Sequence, residues 1–304
     1  MHSRILITGG NGFVAGSLIR QGAALHELHV LSRGPAPGAL PTGVTWHTLQ
    51  NGTPGALIAL VEQLRPDALL HTAAIANIDY CEAHREEAHT VNVGLTQALC
   101  DAATCTGAKF IYLSTDNVFD GVRGRYTEED RPSPANYYGE TKAEAEGRAA
   151  LLESPWVVAR VSLVMGLPLL GTGNSFLSRM IPTLERGEAL GVPPDEIRSP
   201  IDAVTLGQAL LELAVSSPFT GYLHLAGDDI VNRYEMVRRV AAALGYDAHL
   251  VVANDPATIP GRANRPRDGS LVNGRAHAVL QTPLCGLEEG VRRVLAARDR
   301  YGMQ

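Results

Sequence analysis

Lysine is nearly missing from this 304-residue chain: of 26 basic residues only Lys109 and Lys142 are lysines. No block of Lys or Arg gathers anywhere and the formal net charge is -6, which argues against nucleic acid or an anionic membrane as the main partner. No apolar run approaches the eighteen or so residues that a membrane span requires. The N-terminus runs from Met1-His2-Ser3-Arg4 straight into Ile5-Leu6-Ile7-Thr8 without the basic and apolar regions of a secretory leader, so a cytoplasmic protein is expected. Cysteine is scarce too. Cys81, Cys100, Cys105 and Cys285 form no CxxC pair and have no His at zinc-finger spacing, so they read as buried or incidental thiols.

What is present is a pattern of short apolar runs alternating with helical periodicity, the signature of β-α units building a parallel sheet. Strands are expected at Arg4–Thr8, His29–Leu31, Val44–Thr48, Ala68–His71, Lys109–Leu113 and Trp156–Val161, with helices at Gly12–Ala24, Pro54–Leu64, Glu82–Thr106 and Ala135–Glu153. The fold class is α/β, a Rossmann-type doubly wound sheet with a smaller, interleaved C-terminal α+β portion. After Val161 the alternation loosens into glycine- and proline-rich stretches, and Tyr222–Leu225 reads as a late strand returning to the main sheet. The division expected is 1–161 and about 202–227 for the cofactor, and about 162–201 and 228–304 for the substrate.

The strand Ile5-Leu6-Ile7 leads through Thr8-Gly9-Gly10-Asn11-Gly12-Phe13-Val14 into a helix. Glycines let backbone approach a pyrophosphate closely, and the helix N-terminus meets its charge with N–H groups and the helix dipole. Gly9, Asn11, Gly12, Phe13 and Val14 are therefore the expected cofactor contacts here. The second strand ends Leu31-Ser32-Arg33, where a NAD-specific protein usually carries an acid for the ribose 2'-hydroxyl. A hydroxyl and an arginine favour a 2'-phosphate instead, hence NADP(H), with NAD(H) left open.

Tyr138-Gly139-Glu140-Thr141-Lys142 puts a phenol and an ammonium four residues apart, on one face of a helix. A nearby positive charge lowers a phenol's pKa and makes it a usable acid or base near neutrality. With nine tyrosines and two lysines in the chain, such a pair arises by accident in about 6% of cases. In a chain that otherwise uses arginine, a lysine here marks a role that a guanidinium does not fill. Upstream, a strand ends in Ser114-Thr115-Asp116-Asn117, which puts a hydroxyl at the crevice where ligands of doubly wound sheets bind.

These motifs together, with Val118-Phe119-Asp120-Gly121, the Tyr126/Glu128/Asp130 cluster, Asp79-Tyr80-Cys81-Glu82, Val91-Asn92, Arg198-Ser199-Pro200-Ile201 and Arg265-Pro266, resemble the dTDP-4-dehydrorhamnose reductase branch of the extended short-chain dehydrogenases over nearly the whole chain. The resemblance implies that Thr115 binds the substrate carbonyl oxygen, that Tyr138 donates the proton, and that Lys142 holds the nicotinamide ribose and tunes Tyr138. It also places Asp116 with the catalytic set, Ala73 and Ala74 against the cofactor, Ser114 at the cofactor, and Asn92 as a support. Two positions depart from the branch. Asn117 stands where a tyrosine is usual, and the third strand runs Trp46-His47-Thr48-Leu49-Gln50 without the usual adenine-side acid.

The expected reaction is NADP(H)-dependent reduction of a ketone on a nucleotide-linked 4-keto-6-deoxy sugar, with no metal and with a homodimer left open. Asn174, Phe176, Arg198 and Arg265 are the candidates for the diphosphate and sugar, since guanidinium groups match phosphate bidentately. An epimerase or dehydratase is the neighbouring enzyme reading. Dehydratases of this superfamily resemble Ser-Thr-Asp followed by Glu, so Asn117 disfavours elimination. A non-catalytic binding protein is the reading from another class, because the β subunit of methionine adenosyltransferase is similar to the same branch.

Overall fold

A computed structural model of the chain describes residues 2–38, 40–49, 53–171, 175–255 and 260–301. Seven parallel strands form the main sheet: β1 (Arg4–Thr8), β2 (Glu27–Ser32), β3 (Val44–Thr48), β4 (Ala68–His71), β5 (Lys109–Thr115), β6 (Trp156–Val161) and the late strand Gly221–Leu225. Their order across the sheet is β3-β2-β1-β4-β5-β6 and then Gly221–Leu225, a doubly wound Rossmann arrangement. The order reverses between β1 and β4, and that switch point is where such sheets open a crevice for ligands. Residues of β1, β4 and β5 are buried on both faces, as a sheet covered by helices on both sides requires.

One face is packed by α1 (Phe13–Gly22) and the helix Ala203–Val215, the other by α2 (Pro54–Leu64), α5 (Leu95–Thr106) and α6 (Tyr137–Ala149). A separate apolar cluster, including Met180, Val192, Val237, Val251 and Val291, lies among the helices Phe176–Glu185, Arg233–Ala243 and Leu287–Tyr301. Three two-stranded pairs accompany it: Val164–Met165 with Ile201–Asp202, Ile197–Arg198 with Val231–Asn232, and Leu190–Val192 with Val251–Ala253.

The single helix expected over 82–106 is broken. It consists of α3 (Ile78–Ala83), α4 (Arg85–His89), a π-helical turn at Thr90–Gly94 and α5. His84 leaves helical geometry at φ -130° and ψ 58°. The π turn carries Asn92 inward, in keeping with the tendency of such turns to sit at functional sites. Helix α6 starts two residues later than expected, because Asn136 caps it by accepting a hydrogen bond from Gly139 N at 2.9 Å.

Candidate active site

A cavity of about 660 Å³ lies at the switch point, within the size range of a small-molecule or cofactor site. Gly9, Asn11 and Gly12 line it from the β1–α1 turn, Ser32 and Arg33 from the end of β2, and Ala73 and Ala74 from the segment after β4. Gly9 sits at φ +77°, and a Cβ there would press on the Ala73 backbone at 2.9 Å. Gly10 faces the other way: a Cβ on it would meet the Trp46 ring at 2.6 Å. The residue before α1 is Gly12, so the first N–H groups of that helix have no side-chain cap, and no acid stands in its first turn. A glycine cradle open to the cavity and an uncapped helix N-terminus fit a dinucleotide pyrophosphate. Asn11 holds the far rim by donating to Ser32 Oγ at 3.1 Å, and Arg33 stands exposed beside it.

Phe13 and Val14 line no part of this cavity; the Val14 side chain packs into the core and the Phe13 ring reaches toward Gly166. Only their backbone is left for a phosphate. Asn92 lies outside the cavity wall as well. It is buried, with Oδ1 accepting from Ile75 N at 2.8 Å and Nδ2 donating to Ile75 O and Thr141 Oγ1 at 3.1 and 3.0 Å. It braces the segment after β4 against α6 and is not a direct cofactor contact here. Ser114 is also corrected. Neighbouring residues of a strand point to opposite faces, so while Thr115 faces a cavity, Ser114 turns inward and donates to Glu146 Oε1 at 2.6 Å.

A second cavity, of about 200 Å³, brings together Thr115, Asp116, Asn117 and Tyr138 with Glu196, Arg198, Arg233 and Arg265. Arg198 and Arg265 both reach it, but each already has a carboxylate partner. Arg198 Nε lies 3.3 Å from Asp116 Oδ2, and Arg265 grips Asp79 bidentately at 2.9 and 2.8 Å. Phe176 lines neither cavity; its ring packs in the C-terminal cluster beneath the Arg233 guanidinium. Asn174 falls outside the described residues. The sequence reading missed Glu196, Arg233 and Arg262. Glu196 is buried and pairs with both arginines. An acid two residues before Arg198 is the local signal of it in the sequence.

Burial raises the Tyr138 phenol above its ordinary pKa, the Asp116 carboxylate adds to the rise, and the neighbouring Thr115 hydroxyl opposes it. The lowering expected from Lys142 is absent from this state. Burial drives the Lys142 amine down to about 7, with Glu146 opposing. Its Nζ donates to Leu113 O at 2.7 Å and stands 4.0 Å over the Tyr112 ring.

Buried polar chains fix the two cavities relative to each other. Thr96 gives its proton to Asn92 O at 2.7 Å, so it accepts from His71 Nε2 at 3.0 Å, which leaves His71 Nδ1 to accept from the Thr8 hydroxyl at 2.7 Å. That chain runs from the end of β1 to the π turn. On the other side Glu146 of α6 holds Arg160 of β6 in a buried pair, Nη2 to Oε2 at 2.8 Å. The packing is equally exacting at Gly139, whose missing Cβ would overlap the Asn117 carbonyl. The Tyr126/Glu128/Asp130 cluster is structural. Tyr126 donates to Asp120 Oδ1, Glu128 accepts from His224 N, and Asp130 accepts from Thr127 N.

Among known proteins, the chain is 26% identical over 280 residues to the dTDP-4-dehydrorhamnose reductase of Aggregatibacter actinomycetemcomitans, covering 88% of this chain and 90% of that one. It is 30% identical over 220 residues to methionine adenosyltransferase 2 subunit beta of Rattus norvegicus, covering 70% of this chain and 64% of the relative. The crystal structure of dTDP-4-dehydrorhamnose reductase from Bacillus anthracis in complex with NADP superposes with a TM-score of 0.82 at 24% identity, covering 97% of this chain and 99% of that one, a likeness of fold. The model of the RmlD substrate binding domain family matches residues 3–300. With a match of that extent, the chain belongs to the RmlD substrate binding domain family.

Proposed function

We propose that this protein is an NADP(H)-dependent reductase acting on the ketone of a nucleotide-linked 4-keto-6-deoxy sugar. The observation that carries the reading is the second cavity, where a hydroxyl and a phenol share a wall with three arginines, and which the segment after β4 lines together with the glycine-lined cavity at the switch point. In this reading Gly9, Asn11, Gly12, Ser32, Arg33, Ala73 and Ala74 hold the cofactor, with backbone N–H groups of Phe13 and Val14 on its phosphates. When bound, NADPH supplies the hydride. Thr115 holds the carbonyl oxygen by donating to it, and Tyr138 gives that oxygen its proton. A phenol whose pKa is raised keeps its proton until negative charge grows on the oxygen beside it, which makes it a donor to the transition state and not to the ground state. Lys142 is the group that would hold the nicotinamide ribose and steady the phenolate left behind, its Nζ leaving Leu113 O to do so. The arginines of the second cavity take the diphosphate.

Elimination is not favoured, because Asn117 offers neither an acid nor a base. The portions 1–161 with about 202–227 and 162–201 with 228–304 divide the cofactor and substrate work, and a cytoplasmic location belongs to the same proposal, in line with four free thiols. The test is NADPH consumption over a panel of 4-keto sugar nucleotides. The expected result is turnover that falls about 10²-fold or more in Tyr138→Phe, with NADPH binding retained. NADPH binding without turnover of any ketone would replace the reductase by a binding protein of the kind the β-subunit likeness represents.

A further inference from the structure

The Thr115 hydroxyl is not ready for work in this state. Its oxygen receives Asn117 N at 3.2 Å and Asn117 Nδ2 at 3.3 Å, which occupies both lone pairs. Its one proton goes to Asp116 Oδ1 at 3.2 Å. Asp116 is itself buried and fully bonded. Oδ1 also accepts from Asn117 Nδ2 at 2.9 Å, and Oδ2 meets Ser162 Oγ at 3.1 Å and Arg198 Nε at 3.3 Å. Arg198 anchors its other end on Ile197 O at 2.7 Å and reaches the same small cavity as Arg233 and Arg265. One carboxylate thus ties the carbonyl-binding hydroxyl to a guanidinium placed for a phosphate.

We propose that Asp116 is a positioning residue that holds the Thr115 proton until an anionic group of the substrate draws Arg198 off Oδ2, so that filling the far end of the cavity arms the hydroxyl at the near end. This rests on the reductase reading and names its ligand class, a diphosphate ester.

The charges around Asp116 give the direction. Burial favours its neutral form, and Arg198 is the largest influence against that, ahead of Ser162, Thr115 and Asn117. Tyr138 faces it across the cavity, and Glu196 attracts Arg198 from the other side while Arg233 and Arg262, cations drawn to the same Glu196, repel it. When Arg198 turns to a phosphate, Asp116 loses its compensating charge and takes up a proton from solvent. A neutral carboxyl is a much weaker acceptor than a carboxylate for the Thr115 proton, which can then pass to the ketone oxygen.

The experiment compares the nucleotide-linked ketone with the free 4-keto-6-deoxy sugar, using NADPH-loaded protein with and without inorganic pyrophosphate. Pyrophosphate is expected to raise kcat for the free sugar about tenfold or more, the worth of one hydrogen bond to a charged group. Asp116→Asn should abolish that response. No acceleration in the native protein, or an unchanged response in Asp116→Asn, overturns the proposal. A second readout needs no turnover: the carboxyl 13C resonance of Asp116, assigned by its loss in Asp116→Asn, should move toward the protonated value as pyrophosphate saturates the protein. A resonance that stays in place overturns the coupling. A resonance that moves while no ketone of either kind is reduced keeps the coupling and removes the reductase reading.

Discussion

Lys142 is a buried amine whose pKa falls from its ordinary 10.5 to about 7, with burial the cause. The folded chain sheds that proton above about 7, while the unfolded chain keeps it to near 10.5. The unfolded state therefore binds more protons across this window, and this residue makes stability rise with pH from 7 toward 10. Lys142→Met should flatten the rise in urea midpoint between pH 7 and pH 9; an unchanged slope would mean that the amine is charged inside the fold. The same residue marks a limit of sequence reading. Its spacing from Tyr138 was legible and so was the shared helix face, but spacing along a helix says nothing about where a four-carbon stem ends. Nζ goes to Leu113 O, a carbonyl of β5.

At the scale of elements, α6 and the turn Asp116–Val118 meet without room for a methyl group. Gly139→Ala should push the helix away from the Asn117 carbonyl, costing about 1–3 kcal/mol of stability. A displacement near 1 Å between Tyr138 and Thr115 should lower kcat by about 10²-fold. A melting curve together with kcat checks both, and a variant that melts lower with undiminished kcat would mean that the two groups need not be held together. Four strands of the main sheet, β1, β3, β4 and β6, were legible residue for residue, because short apolar runs bounded by glycines and polar turns leave little choice. By contrast β2 was read at half its length, β5 two residues short, and the short paired strands were not read at all. The break at His84 and the π turn were not, since helical periodicity continues through them. The carboxylate partners of Arg198 and Arg265 were hidden for another reason: Asp116 and Asp79 come from distant parts of the chain, and pairing across such separations is a property of the fold.

For the molecule as a whole, two buried histidines bear on acid stability. His71, within its chain of threonine hydroxyls, and His224, on the strand Gly221–Leu225, are both driven by burial down to about 3. Both ordinary pKa values lie near 6.5, so the unfolded chain gains protons that the fold refuses as pH drops. Stability is lost from about 6.5 downward toward 3. Melting temperatures between pH 7 and pH 4 should fall less steeply in His224→Phe than in the native protein; parallel slopes would show that His224 does not contribute.

The sheet is finished late. Strand β6 ends at Val161 and its outer neighbour begins at Gly221, so the whole stretch from 162 to 220 leaves the ribosome before that edge can be closed. Until then β6 presents an unpaired, apolar edge, the kind that recruits strands from other chains. During synthesis this protein therefore passes through a stage in which the first six strands of its sheet are built but sticky. Nascent chains stalled before residue 225 would be the ones that chaperones have to shield, and expressing the first half alone would reproduce that stage permanently.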